Sequence, residues 1–200
     1  MDGRTARAAR NRQAVIDATL ALMEEGVLRP TAQAVAERAG VAIRSVFHYF
    51  ADVETLHTDA AETQAQRHWS LLTQPVTGEL AERVEQVVAL RARLFERIGG
   101  TRRAALLLEH ESPVFAERLT RSRAALRAHL SMIVPELGGL EPPSREAACA
   151  AASWETWQVL RRDQGLSVDA AVAAVVAALK SLLAVAPSAP PGAGGGARER

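Results

Sequence analysis

TAQAVAERAGVAIRSVFHYF, residues 31–50, reads as two short helices meeting at a tight turn. Thr31 is placed to cap the first, because its hydroxyl can accept from an otherwise orphaned first-turn amide. Val35, Ala36 and Ala39 fall on one face, and small Ala36 lets a second helix cross close by. Gly40 follows where the chain must turn through a left-handed conformation, which costs other residues a Cβ clash. The second helix runs over about 42–49, with Val46 and Phe50 four apart and turned inward. This is the pattern of a helix-turn-helix, whose second helix enters the major groove of DNA. An ordinary helical hairpin shares the spacing, so the spacing does not decide between them.

The outward face of the second helix separates the two readings. Ile43, Arg44, Ser45, Phe47 and His48 are not needed by the local core. An arginine, a hydroxyl and apolar groups together suit base edges, since arginine pairs with guanine and apolar groups meet the thymine methyl. The run GVAIRSVFHYFADVETL, 40–56, resembles the signature of the TetR family of transcriptional repressors. In that signature a Gly-Val-Ser turn leads into a Tyr-x-His-Phe helix end. EEGVLRPTAQAVAERAG, 24–40, resembles that family's approach to the motif. The close resemblance covers about 13–56, and the later helices match in number, length and order.

The resemblance implies an all-α fold: a three-helix DNA-binding head and a helical-bundle body for ligand binding and dimerisation. It implies that Ile43, Arg44, Ser45 and Phe47 face the major groove beside His48, while Thr31 and Tyr49 contact phosphates. The sequence departs from the family's pattern at three positions. Phe47 replaces a tyrosine, Val53 replaces a common lysine, and Ala42 replaces the usual serine cap. The last change costs about 1 kcal/mol of local stability.

Two hundred residues can bury a real core, and an Ala- and Leu-rich chain with few aromatics favours helices. The formal net charge is +1, so any nucleic-acid contact must come from a local basic patch. All but one of the 24 Lys and Arg residues are arginine, the exception being Lys180. Codon usage in a GC-rich genome explains that bias as readily as a need for planar forks. Cys149 is the single cysteine, which excludes an intrachain disulfide and a Cys-based zinc site and makes a cytoplasmic location the default expectation. No run resembles a secretory signal or a membrane span.

Four domain segments are expected. Residues 1–12 carry Arg4, Arg7, Arg10 and Arg12 against Asp2 and read as a flexible basic arm, either solvated or reaching DNA phosphates. The head spans 13–51 and its first helix spans 13–25, with Val15, Ile16, Thr19, Leu20, Leu22 and Met23 at helical spacing. The body spans 52–186. There Asp52 caps a helix to about 73. A second helix covers 80–98, Gly99-Gly100 breaks the chain, and a short helix covers 101–110. Ser112-Pro113 opens the next helix, Ser144 caps one to about 164, and Ser167 caps the last. The final segment, 187–200, is low-complexity and expected to be disordered.

The last two helices are expected to form a homodimer interface by resemblance. Candidate effector-binding residues are Trp69, Arg91, Phe115, Ser122, Trp154 and Trp157. Each has a competing reading as core or dimer packing, and a mostly apolar lining would suit a hydrophobic or aromatic molecule. Glu54 and His57 form a lone Glu-x-x-His, where a carboxylate-bridged di-metal site needs two. No nucleophile elbow, phosphate loop or dinucleotide fingerprint occurs, so no enzyme, cofactor or metal is expected. The expected function is a dimeric repressor released from its double-stranded DNA operator by a small molecule. The alternative is a sensor or interaction module of the same fold that has lost operator binding.

Overall fold

A computed structural model describes residues 3–184, and the expected low-complexity tail lies outside them. The fold is all-α, as expected, with no strand among the described residues. Helix α1 spans Gly3–Glu24, α2 Ala32–Ala39, α3 Ile43–Tyr49 and α4 Val53–Leu72. The body continues with α5 Leu80–Leu108, α6 Pro113–Ile133, α7 Pro142–Ala151, α8 Trp154–Gln158 and α9 Val168–Ala184. A 3₁₀ turn, Pro135–Gly139, precedes α7, and a π-helical turn, Val159–Asp163, follows α8.

The head closes around one apolar cluster. Val15, Ile16 and Leu20 of α1 meet Val35 and Ala36 of α2, Val46 of α3, Phe50, and Leu56 and Ala60 of α4. Burial of each large side chain contributes on the order of 1.5–3 kcal/mol, which is what holds helices as short as α2 and α3. Because α4 enters this cluster and then runs on into the body, it belongs to both parts.

Residues 3–12 are a correction to the expected arm, because they are the first turns of α1. Alanine and arginine dominate this segment, and both are strong helix formers. Arg12 also anchors it: its guanidinium lies 4.9 Å from the Phe50 ring centroid and pairs with Asp59.

The expected break at Gly99-Gly100 does not occur, and α5 runs through both residues. Here glycine serves packing rather than turning. Gly100 presses against the end of α1, where a side chain would have no room. The single helix expected over 144–164 is instead interrupted at Ala152. Ser153 recaps the chain there, its Oγ accepting from the Thr156 amide at 3.1 Å. The Ala152 carbonyl accepts from buried Arg91 at 2.6 Å, so an orphaned backbone acceptor is satisfied from α5.

Candidate nucleic-acid interface and body cavity

The turn between α2 and α3 is built as its residues dictate. The Thr31 hydroxyl accepts from the Ala34 amide at 3.2 Å and caps α2. Gly40 sits at φ 67°, in the left-handed region. That turn lets the Val41 amide reach back to the Ala36 carbonyl at 3.0 Å and closes the helix. Ala42 caps α3 with no side-chain hydrogen bond, so the serine missing from the sequence pattern is also missing as a bond.

Inside α3, Val46 is buried and Phe50 follows as an inward cap. Ile43, Arg44, Phe47 and His48 are exposed, and Ser45 and Tyr49 are half-buried. Ile43 is 42% and Phe47 50% exposed. Arg7 and Arg10 on α1 and Arg44 on α3 are exposed cations of the head. The face therefore offers one fork-shaped donor flanked by apolar groups, with Thr31 exposed at the start of α2.

The head is tied to the body by polar contacts. His57, buried on α4, bonds through Nε2 to the Pro30 carbonyl at 3.1 Å. Burial holds its pKa below the ordinary histidine value; the Pro30 carbonyl opposes that shift and the Arg29 charge assists it. Arg29 itself donates to the Leu107 carbonyl at 3.0 Å and to Glu111 at 2.5 Å. The Ser112 hydroxyl donates to Glu54, and Gln64 donates to the Arg97 carbonyl at 2.8 Å. Glu54 and His57 thus serve separate structural bonds. Among the described residues no group of three or more His, Cys, Asp or Glu is placed to hold a metal ion.

The body holds a mostly apolar cavity of ≈ 370 Å³ between α4, α5 and α6. Trp69 and Leu72 line it from α4, Leu94, Ile98 and Ala105 from α5, and Leu119 and Leu126 from α6. Two of the six effector candidates, Trp69 and Ser122, belong to this lining. The structure does not bring the other four to it. Phe115 is buried against Ala105 and Leu119. Trp157 packs on Phe95 with ring centroids 6.3 Å apart and donates to Glu96 at 2.9 Å. Arg91 and Trp154 line a different hollow beside α7, with Arg127 and Glu146. Arg91 donates to the carbonyls of Ala152 and Leu126, and burial brings its pKa down to about 10.

Two buried polar residues of the cavity, unlike Ser122, have no counterpart among the sequence candidates. Thr101 and Arg102 are each 6% exposed and both line it. Their only sequence signal is a polar pair on the inward face of an apolar helix, which the expected break at Gly99-Gly100 obscured. Arg102 donates to the Ser122 hydroxyl at 2.9 Å. Burial lowers its pKa from the ordinary arginine value, with the nearby Glu155 charge opposing.

Residues 15–57 match the model for bacterial regulatory proteins of the tetR family. The head is a tetR-family domain. The matched segment takes in the end of α1, the turn and the start of α4. A transcriptional regulator from Rhodococcus sp. Rha1 superposes with a TM-score of 0.69 at 21% identity, covering 92% of this chain and 99% of that one. A Pseudomonas aeruginosa PAO1 protein described as a transcriptional regulator gives 0.66 at 17% identity, covering 88% and 91%. A Rhodococcus protein described as a TetR-family transcriptional regulator gives 0.66 at 15% identity, covering 87% and 99%. At these identities the likeness is one of fold, and it extends over the body as well as the tetR head. No curated protein sequence matches the chain. No described helix is long and apolar enough to cross a membrane.

Proposed function

We propose that the protein is a homodimeric transcriptional regulator that binds a specific DNA operator through its tetR head and is released by a small molecule held in its body. The observation that carries the reading is the outward face of α3. Its exposed Ile43, Arg44 and Phe47 stand outside the apolar cluster of the head and match the chemistry of major-groove edges. Thr31 and Tyr49 flank that face and would meet phosphates.

The dimer is assigned to the C-terminal elements. Helix α9 carries only Asp169 and Lys180 as charged residues, and its Val172, Val176 and Leu183 are only partly buried in one chain. A second copy would cover them. Two heads held by that interface would meet half-sites about 34 Å apart or a multiple of it, so the operator should be near-palindromic.

Helix α4 supplies the link between sites. Leu56 and Ala60 of α4 lie in the head cluster, while Ala61, Gln64, Trp69 and Leu72 of the same helix line the cavity. A ligand that favours one position of α4 shifts the population between head spacings that fit and do not fit the operator. The test is to recover fragments of the organism's own DNA bound by the purified protein. A shared near-palindrome supports the reading, and enrichment without a common sequence contradicts it.

A further inference from the structure

The cavity between α4, α5 and α6 is not uniformly apolar, and its polar groups lie together. Arg102 has its Nη1 on Ser122 at 2.9 Å, but its Nε and Nη2 are buried without a hydrogen-bond partner. The Thr101 hydroxyl beside it is likewise buried and unpartnered. The carboxylates near it are Glu155, an ion-pair partner 3.6 Å from Arg102 Nη2 and outside hydrogen-bonding reach, and Glu109. Glu155 accepts instead from Arg123 Nε at 3.2 Å, and Arg123 also holds Glu109 at 2.5 Å. Arg102 is therefore the least satisfied cation of that group. Arg102 also borders the hollow beside α7, where the Trp154 ring centroid lies 5.8 Å from its guanidinium carbon.

Around this polar corner the lining is apolar: Leu94, Ile98, Leu119 and Leu126 wall the cavity, and Trp69, 59% exposed, stands at its mouth. We infer that the cavity takes an amphipathic monocarboxylate. Its carboxylate sits on Arg102, Thr101 and Ser122, and its hydrocarbon body lies along the leucines toward Trp69. A guanidinium fork matches a carboxylate in plane and charge, and a buried one is poorly served by a neutral head. The volume of ≈ 370 Å³ lies near the lower end of the roughly 300–1,000 Å³ of small-molecule sites, so the body is of medium length. Arg118 and Glu62 at the rim are paired with each other at 2.7 Å, and Arg121 is an exposed partner of Glu117, so the buried arginine of the lining is Arg102. This inference rests on the effector-responsive reading above and specifies its ligand.

The test measures binding of octanoate, 1-octanol and octylamine to the full-length protein by calorimetry, with operator release measured separately. Octanoate should bind at least about tenfold more tightly than 1-octanol, as a charged hydrogen-bonded pair requires. Arg102→Gln should erase that preference while leaving 1-octanol affinity within a few fold. Ser122→Ala, a milder change, should reduce the preference a few fold and guards against loss of folding in the first variant. Equal binding of the three probes, no binding of any, or a folded Arg102→Gln protein that keeps the preference would overturn the inference. Operator release by a neutral or cationic compound alone would overturn it while leaving the regulator reading intact. Octanoate binding that never alters DNA affinity would support the site and count against that reading.

Discussion

Gly100 of α5 lies against the end of α1 so closely that a Cβ on it would stand 2.5 Å from the Met23 carbonyl oxygen. The nearby atoms of Glu24 are also backbone, at 2.8 Å, so nothing there can swing aside. Head and body therefore touch backbone to backbone, and glycine is what permits it. At neighbouring Gly99 the nearest atom is Arg103 Nη1 at 3.2 Å, the free end of a long side chain.

Those two glycines give an internally controlled prediction. Gly99→Ala should be neutral or stabilise by up to about 1 kcal/mol, because alanine is the better helix former. Gly100→Ala gains the same propensity but overpacks a rigid contact, which costs about 1–3 kcal/mol and should outweigh it. Chemical denaturation of both variants checks the order, and equal stabilities would mean the helices separate without cost.

Ala42 leaves α3 without a side-chain cap, although its φ −70° and ψ 144° suit one. Ala42→Ser should raise stability by about 1 kcal/mol. A shift in the denaturation midpoint without a change in its slope would mark the gain as one of the folded state. A loss of stability would show that the hydroxyl finds no amide to cap.

Histidine at the head–body junction sets a pH dependence. Burial lowers the pKa of His57, and the same cause lowers His68 and His129. The unfolded chain, with histidines near 6.5, then binds more protons than the folded one just below that pH. Stability is fully present above about pH 6.5 and falls as the pH drops from there through the lowered folded values. His57→Gln keeps a donor for the Pro30 carbonyl and cannot charge, so it should flatten part of that fall. Thermal melts from pH 5 to 7.5 measure it, and an unchanged profile would remove His57 from the account.

The first turns of α1 carry exposed Arg7 and Arg10. If they lie along operator phosphates, removal of residues 1–10 should weaken operator binding and make the salt dependence less steep, by about 0.9 log units for each phosphate they neutralise. Affinity and slope that both stay the same would leave these arginines with solvent alone.

The head was legible in the sequence because its signals are local. A capping Thr31, a left-handed Gly40 and inward Val46 and Phe50 all act within a few residues of one another, and each stands as read. What failed depended on contacts distant in the chain. Gly99-Gly100 reads as a breaker until α1 is packed upon it. The interruption at Ala152 needs Arg91, some sixty positions earlier, to take up the freed carbonyl. Of the body candidates, Trp69 and Ser122 line the cavity, whereas Phe115 and Trp157 are buried in the core. Arg102, with its unpartnered nitrogens, emerged only once α5 and α6 were side by side.

The central claim is that α3 reads a DNA sequence, and it is tested most directly by a gel-shift titration with DNA from the region upstream of the protein's own coding sequence. Wild-type protein and Arg44→Ala would be compared at several salt concentrations, against native and single-base-pair variant sites. The account predicts a discrete complex that survives competitor DNA. It also predicts that Arg44→Ala weakens that complex by about 1–3 kcal/mol and relaxes discrimination at one base step. Binding that is weak, salt-labile and indifferent to sequence, or an Arg44→Ala protein that weakens every site variant equally, would contradict it.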